Sequence, residues 1–469
     1  MESEILKKGI NNTIFVLLSQ VIKLVLGISK ILLLPLILGI TNFGYWQVYL
    51  LYLSYVGIFT LGFNDGIYLK YGKYDYNELP KQKFRSSIKL FFILQIMITW
   101  IIFTLVMFEP DENKKIALMF ATINIPIASF SGVLIYILQV TNQLKKYSFY
   151  TILDQLLLLI VILIALFTQT NNYLLIIFTD FLSKIIVLVL MIRSCKELIF
   201  GNGAGVNIAR KELSDNIRVG IKLMIANFAG MMILGFGRFV VERFENIDVH
   251  SSYSFANSTI NLVLIFISAL GLVVYPTFSR INAERYSLYF LKLNNLIRIL
   301  VFILLVSYFP LKFFIEEFMN EYKLVFDYLP IIFAIIFLQA KMQIVINPFY
   351  KLLREERAMM VANIMGLIFA IVTITVSYFV TQSVFIIALS TFCAMAIRLY
   401  LSEKFIKKKL EIYKDNGFLL EAFYITIFII FAYQVSFSLG IFGYTIILML
   451  YLLTQLKFIK KNIDYFMRG

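Results

Sequence analysis

Residues 12–39, NTIFVLLSQVIKLVLGISKILLLPLILG, form an apolar run that nevertheless carries two lysines, Lys23 and Lys30. A hydrocarbon core of roughly 30 Å is crossed by about 20 apolar residues in a helix, so this run is long enough to span a bilayer. An ionisable side chain at mid-bilayer costs at least about 2.5–3.5 kcal/mol and normally faces a partner or a water-filled cavity. The stretch therefore predicts a membrane helix whose two lysines need an explanation.

Apolar runs of similar length recur along the whole chain. Its 469 residues are 60% hydrophobic and 15% charged, with a mean hydropathy of +0.85, whereas soluble domains are about half apolar and a quarter charged. We predict an all-α integral membrane protein with about 14 transmembrane helices and no soluble domain. The apolar windows lie near residues 12–38, 44–69, 86–108, 116–139, 148–168, 173–192, 219–241, 251–277, 294–312, 325–349, 359–379, 384–402, 418–439 and 441–457.

The basic residues support this assignment of spans. With the N-terminus placed in the cytoplasm, most of the 43 Lys and Arg residues fall in predicted inner segments, as the positive-inside rule requires. We therefore expect a multi-pass membrane protein with both termini cytoplasmic. The net charge of +15 is explained by topology, assisted by anionic lipid at the inner surface, and no nucleic-acid partner is expected.

The predicted spans divide into two similar halves. Basic loops and short turns recur at corresponding positions, which predicts two six-helix bundles related as parallel repeats. The expected boundaries are residues 1–200 for the first bundle, 201–410 for the second and 411–469 for two appended helices.

The first span has one polar face. At 100° per residue, Ser19, Lys23 and Lys30 lie within about 40° of one another. Lys23 is roughly 16 Å from the nearer end of the span, beyond the reach of one side chain, so we expect it to line a cavity. Lys30 is expected there too, although it could instead reach toward the outer surface along its long stem.

Other polar residues lie within the later spans. Asn227 and Arg238 share a face of the seventh span, although an ion pair between Arg238 and Glu242 is an alternative. Asp180 and Lys184, four residues apart, are expected to neutralise each other. The remaining candidates are Asn257 and Asn261 as cavity lining or helix-packing residues, Lys341 as a cavity cation, and Asp65 as a gate residue, a counter-charge or an interfacial acid.

Because these charges are mainly cationic and most have no obvious partner, a cavity between the bundles would attract an anion. Two cysteines make neither a zinc site nor a disulfide framework, and no phosphate loop or nucleophile motif is present. We expect no metal, no cofactor and no enzymatic activity.

The opening of the chain resembles bacterial polysaccharide and O-antigen flippases of the multidrug/oligosaccharidyl-lipid/polysaccharide (MOP) exporter superfamily. The resemblance rests on two degenerate motifs that bound the second span and on YPTFSR at residues 275–280. The seventh span keeps the arginine of the family's Asp-Arg ending but has Gly237 before Arg238. The motif residues are Leu38, Gly39, Phe43 and Gly44, followed by Leu61, Gly62, Phe63, Gly66 and Lys70.

This resemblance implies a flippase that works by alternating access. Its substrate would be an undecaprenyl-diphosphate-linked oligosaccharide, which moves from the inner to the outer leaflet for O-antigen, lipopolysaccharide, capsule or exopolysaccharide synthesis. Lys and Arg would bind the diphosphate, and a polysaccharide polymerase and chain-length machinery would be partners. Proton or sodium coupling remains open.

Three other functions compete with this interpretation. A lipid II flippase for peptidoglycan needs the same cationic cavity. A drug exporter of the superfamily should instead show acidic residues that bind organic cations. An integral-membrane polysaccharide polymerase would need acid/base groups and a large extramembrane loop, which the short outer segments do not provide.

Overall fold

The structure is a computed structural model that describes the backbone of residues 2–72, 74–260, 278, 282–413, 417–434 and 437–467, and side chains only between residues 19 and 455. Within these ranges the chain forms helices and connecting turns, without a β-strand. The α-helices are α1 (Glu2–Ser54), α2 (Phe63–Tyr71), α3 (Lys81–Val106), α4 (Glu112–Val140), α5 (Leu144–Thr168), α6 (Tyr173–Ser194), α7 (Lys196–Ile199), α8 (Val206–Phe244), α9 (247–260), α10 (Tyr286–Leu305), α11 (Tyr308–Phe318), α12 (Leu329–Lys341), α13 (Asn347–Leu352), α14 (Glu356–Thr381), α15 (Val384–Lys409), α16 (Gly417–Gln434) and α17 (Phe437–Met467).

The predicted all-α membrane fold is confirmed. Among the described residues, 11 helical segments are long and apolar enough to cross a membrane, and Gly417–Tyr433 is a shorter apolar helix. One of the 11, Ser19–Thr60, has 42 residues and covers most of the first predicted span and most of the second. The eighth predicted span, 251–277, is described only as far as residue 260.

The two predicted spans inside α1 run in opposite directions. Gly39 interrupts the helical geometry with φ 68° and ψ 175°, a conformation that L-residues with a side chain rarely adopt. Before this point Lys23 lies over the ring of Tyr147, near the start of α5. After it, Asn42 donates a hydrogen bond to the carbonyl of Asn171 in the α5–α6 turn, and Lys70 reaches the start of α8. The chain therefore reverses at Gly39.

Contacts divide the chain into two compact units: unit 1 is Met1–Ser258 with Asn363–Ile371, and unit 2 is Thr259–Ala362 with Val372–Gly469. Unit 1 thus contains α8 and residues 247–258 of α9, which follow the predicted boundary at residue 200. That boundary, defined by repeats in the sequence, stays a prediction.

Within unit 1, α2 and α8 touch at backbone distance. A Cβ atom on Gly66 would lie 1.9 Å from the carbonyl oxygen of Asn216, and one on Gly220 would lie 2.0 Å from that of Gly62. Only glycine permits this approach. One turn further along α2, Lys70 and Tyr71 donate hydrogen bonds to the buried Glu212 of α8. The contact between the two helices is therefore also held by an ion pair between Lys70 and Glu212.

Unit 2 is built around α12, nearly all of whose residues are buried. Aromatic rings fill the space around this helix; Phe302 of α10 stacks on Phe337 of α12 with 5.3 Å between ring centroids. The helix continues into one π-helical turn, Met342–Ile346, and such turns occur frequently at functional sites.

Candidate functional site

The predicted cavity residues fall in several distinct environments. Lys23 of α1 is half-buried, and its ammonium nitrogen lies 5.7 Å from the ring centroid of Tyr147. Among the described residues, no carboxylate forms an ion pair with Lys23. A cation over an aromatic face gains about 0.5–2 kcal/mol and keeps its charge available for an anionic ligand.

Lys30 lies two turns further along the same helix, close to two acids. It interacts electrostatically with Asp154 and Asp180, but it forms no ion pair shorter than 4 Å within the described residues. Lys184 forms the ion pairs with these two acids, with its ammonium nitrogen 2.7 Å from Asp180 and 3.8 Å from Asp154. The predicted pairing of Asp180 with Lys184 is confirmed.

Further hydrogen bonds complete this group. The Tyr49 hydroxyl donates to Asp180 at 2.6 Å, the Asn124 amide donates to Tyr49, and the Ser183 hydroxyl donates to Asp154. We call Lys30, Tyr49, Asp154, Asp180 and Lys184 the Lys30 cluster. With two carboxylates and two ammonium groups, the cluster is close to neutral and lies within the N-terminal helices.

Arg238 does not pair with Glu242, which was the alternative raised by the sequence. Its guanidinium group donates to Gln47 at 3.2 Å and to Ser254 at 3.4 Å, both uncharged. Glu242 instead pairs with Lys114 at 2.6 Å and accepts a hydrogen bond from Tyr52. Within the described residues Arg238 therefore has no carboxylate partner, and it lies among polar residues of α1 and α9.

Lys341, expected as a cavity cation, has two carboxylate partners that the sequence did not identify. Its ammonium group lies 2.7 Å from Glu403 and 2.8 Å from Glu421, and Glu421 also pairs with Arg298 at 3.0 Å. All four side chains are buried in unit 2. A lone cation in that interior would be costly, and two carboxylates offset that cost. Binding of substrate by Lys341 stays a prediction.

The remaining candidates differ in exposure. Ser19, Asp65 and Asn257 are buried, whereas Asn227 is exposed; Asn261 lies outside the described residues. Asn257 donates to the carbonyl of Tyr253 in the preceding turn, a contact that fits helix packing. Asp65 lies in the first turn of α2 and has no ion pair within the part of the chain that the structure describes.

Sequence reasoning did not identify the acids that meet these cations. Asp154 and Glu421 both lie inside predicted spans, where carboxylates are rare, so their position was a signal for counter-charges. It also missed the aromatic neighbours of Lys23. Tyrosines are common at membrane interfaces, and only the fold shows which of them lie together.

A separate cavity of about 230 Å³ opens in unit 1 between the end of α1, α3 and α4. Its lining is mainly apolar, with Tyr52 and Glu109 as polar groups. A carboxylate in an apolar wall does not favour an anion, so this cavity does not compete with the lysines for such a ligand.

The fold is shared with solved structures of membrane transporters. The structure is similar to the lipid II flippase MurJ in its inward closed conformation, with a TM-score of 0.68, 12% identity, 96% of this chain covered and 100% of the other. It is similar to an inward-facing MATE multidrug resistance transporter of the MOP superfamily, with a TM-score of 0.61, 13% identity and coverage of 84% and 100%. These likenesses define the fold.

The sequence itself gives the family. Residues 10–282 match the model of the polysaccharide biosynthesis protein family, and the chain belongs to that family. A search of curated protein sequences finds no significant match. The family and the transporter fold agree with the prediction that the protein is not an enzyme.

Proposed function

We propose that the protein is a flippase that moves an undecaprenyl-diphosphate-linked oligosaccharide repeat unit from the inner to the outer leaflet of the bacterial plasma membrane by alternating access. The observation that carries this proposal is the pair Lys23 and Lys30, half-buried on the first span without a carboxylate ion pair among the described residues. A diphosphate supplies negative charge to Lys23, which has no carboxylate partner in its described surroundings, and lies within reach of the partly compensated Lys30. The prenyl chain can stay in lipid.

The pathway served is O-antigen, lipopolysaccharide, capsule or exopolysaccharide synthesis, and the polymerase and chain-length machinery are proposed partners. Membership of the polysaccharide biosynthesis family supports this assignment. Lipid II is a second candidate substrate, supported by the similarity to MurJ over 96% of this chain, because it presents a diphosphate on the same kind of lipid.

We further propose that transport uses a proton rather than sodium. Sodium requires several oxygen ligands around one ion, and two ammonium groups already surround Asp154 and Asp180. A proton that binds to or leaves a carboxylate of the Lys30 cluster changes the net charge of the cluster. This exchange needs no vacant site for a metal cation.

Deletion of the gene followed by analysis of lipid-linked intermediates tests the function. Undecaprenyl-diphosphate-linked repeat units trapped on the cytoplasmic leaflet are expected. Unpolymerised repeat units on the outer leaflet would instead indicate a polymerase, and accumulated lipid II would indicate the peptidoglycan substrate. Normal amounts of polymer with no accumulated intermediate would overturn the assignment.

A further inference from the structure

Three tyrosines from three helices lie together beside Lys23. The ring of Tyr147, on α5, lies under the Lys23 ammonium group at 5.7 Å. Tyr136, on α4, packs edge-to-face against Tyr68 of α2 with 5.8 Å between ring centroids, and it also interacts electrostatically with Tyr147. We call Tyr68, Tyr136 and Tyr147 the tyrosine platform. Tyr68 is 40% exposed and the other two rings are half-buried, so their surfaces remain accessible.

A buried carboxylate adjoins this platform. Asp65 is 8% exposed and interacts electrostatically with Tyr136. Its position in the first turn of α2 favours the charged carboxylate through the helix dipole, whereas its burial opposes that charge. A carboxylate has about four lone-pair sites, and no cation in the described part of the chain pairs with this one. Asp65 therefore retains capacity to accept hydrogen bonds from a ligand.

These groups suit a sugar better than they suit a second phosphate. Asp65 would repel a phosphate, whereas it can accept hydrogen bonds from hydroxyl or amide groups. The faces of tyrosine rings are negative and pack against weakly positive C–H groups, and their hydroxyls offer a polar contact. A pyranose ring presents a C–H face and a rim of hydroxyl groups. Lys23 supplies a positive charge over the ring of Tyr147, and an anion can bind there.

We infer that the tyrosine platform and Asp65 form a binding subsite for the first sugar of the glycan, next to the diphosphate held by Lys23. The inference rests on the proposed function and deepens it, since it assigns recognition of the sugar to four named residues. Tyr136 interacts electrostatically with both Tyr147 and Asp65, and Tyr147 in turn lies under Lys23. This chain of contacts suits a ligand whose phosphate and sugar are directly joined.

The chain contains a similar cation–aromatic pair whose lysine forms no ion pair within the described residues. In unit 2, the Lys404 ammonium nitrogen lies 5.9 Å from the ring centroid of Tyr400, and Tyr400 is 45% exposed. A ring that served only as an interfacial aromatic residue would behave like Tyr400. This pair provides the matched control.

Binding to two probes tests the subsite. Purified full-length protein in lipid nanodiscs is titrated with undecaprenyl diphosphate and with undecaprenyl diphosphate that carries one N-acetylglucosamine. For Tyr136→Leu and Asp65→Asn we expect about tenfold weaker binding of the glycosylated probe, with unchanged binding of the probe without sugar. Tyr136→Phe, which keeps the ring, should lose less, and Tyr400→Leu should match the wild type for both probes.

The outcomes separate this inference from the function on which it rests. If wild-type protein binds the glycosylated probe and Tyr136→Leu binds both probes as well as wild type, or loses both equally, the sugar subsite is wrong and the flippase proposal stands. If wild-type protein binds neither probe, the proposed function itself fails. Circular dichroism of each variant excludes misfolding as the cause of a loss.

Discussion

Lys341 donates hydrogen bonds to both carboxylate oxygens of Glu421, each at 2.8 Å, in the buried interior of unit 2. This contact joins α12 to α16, and Glu403 of α15 joins the same ammonium group at 2.7 Å. Helix α16, which the sequence presents as an appended span, is therefore joined to α12 and α15 within unit 2 by buried ion pairs. Each buried charge of this group is therefore stabilised by the opposite charges beside it, and loss of one partner leaves the others costly to bury.

We predict that Glu421→Gln lowers the free energy of unfolding by about 3–5 kcal/mol, because it leaves Lys341 and Arg298 with less compensation in a buried site. Thermal unfolding in detergent measures the change. The control is Glu197→Gln, since Glu197 pairs with Lys81 at an exposed position and Lys81 lowers the pKa of that carboxyl. Exposed pairs contribute only about 0–1 kcal/mol, so equal effects of the two variants would contradict the prediction.

A second prediction concerns the contact between α2 and α8. Gly66→Ala would place a methyl group 1.9 Å from the Asn216 carbonyl oxygen, so the helices must separate. Alanine favours a helix over glycine by about 1 kcal/mol, but the clash with rigid backbone should outweigh that gain and lower the melting temperature. Gly57→Ala is the matched control, because nothing lies within 4 Å of a Cβ there. A melting temperature for Gly66→Ala equal to that of Gly57→Ala would show that the helices separate without cost.

The sequence predicted the spans well because hydropathy and the alternation of basic residues are local signals. It predicted the pairing of Asp180 with Lys184 for the same reason, since residues four apart share a helix face. The partners of Lys341 lie 62 and 80 residues away along the chain, in α15 and α16, and no local periodicity connects them. The tyrosines beside Lys23 come from three different helices, so only the tertiary fold brings them together.

The topology yields a third prediction. In a Cys393→Ser background, in which the remaining Cys195 is buried, a cysteine in place of Glu112 should react with a membrane-impermeant maleimide in intact cells. Glu112 is exposed in the first turn of α4, on the predicted outer side. Lys408→Cys, on the predicted cytoplasmic side and exposed, should react only after the membrane is permeabilised. The reverse pattern would place both termini outside.

The Lys30 cluster gives a fourth prediction. If a proton moves within it, Asp180→Asn should abolish transport driven by a pH gradient, because the neutral amide cannot exchange the proton that the carboxylate carries. Transport of a labelled lipid-linked sugar in proteoliposomes measures this effect. Replacing sodium with potassium at a constant pH gradient should leave wild-type transport unchanged, whereas loss of transport in potassium would indicate sodium coupling.

The last prediction compares the two lysines of the first span. Lys23→Ala should leave expression intact but abolish complementation of a deletion strain, because the charge over Tyr147 has no counterpart in its described surroundings. Lys23→Arg should retain function, since it preserves the charge and adds donors for phosphate. The control Lys83→Ala removes an exposed charge from α3 and should complement fully. Lys30→Ala distinguishes two roles for Lys30. Complete loss of polymer would mean that both lysines bind the diphosphate. We expect partial loss, because Lys30 lies beside Asp154 and Asp180 and its charge is already partly offset. Wild-type polymer in the Lys23→Ala strain would remove Lys23 from the binding site.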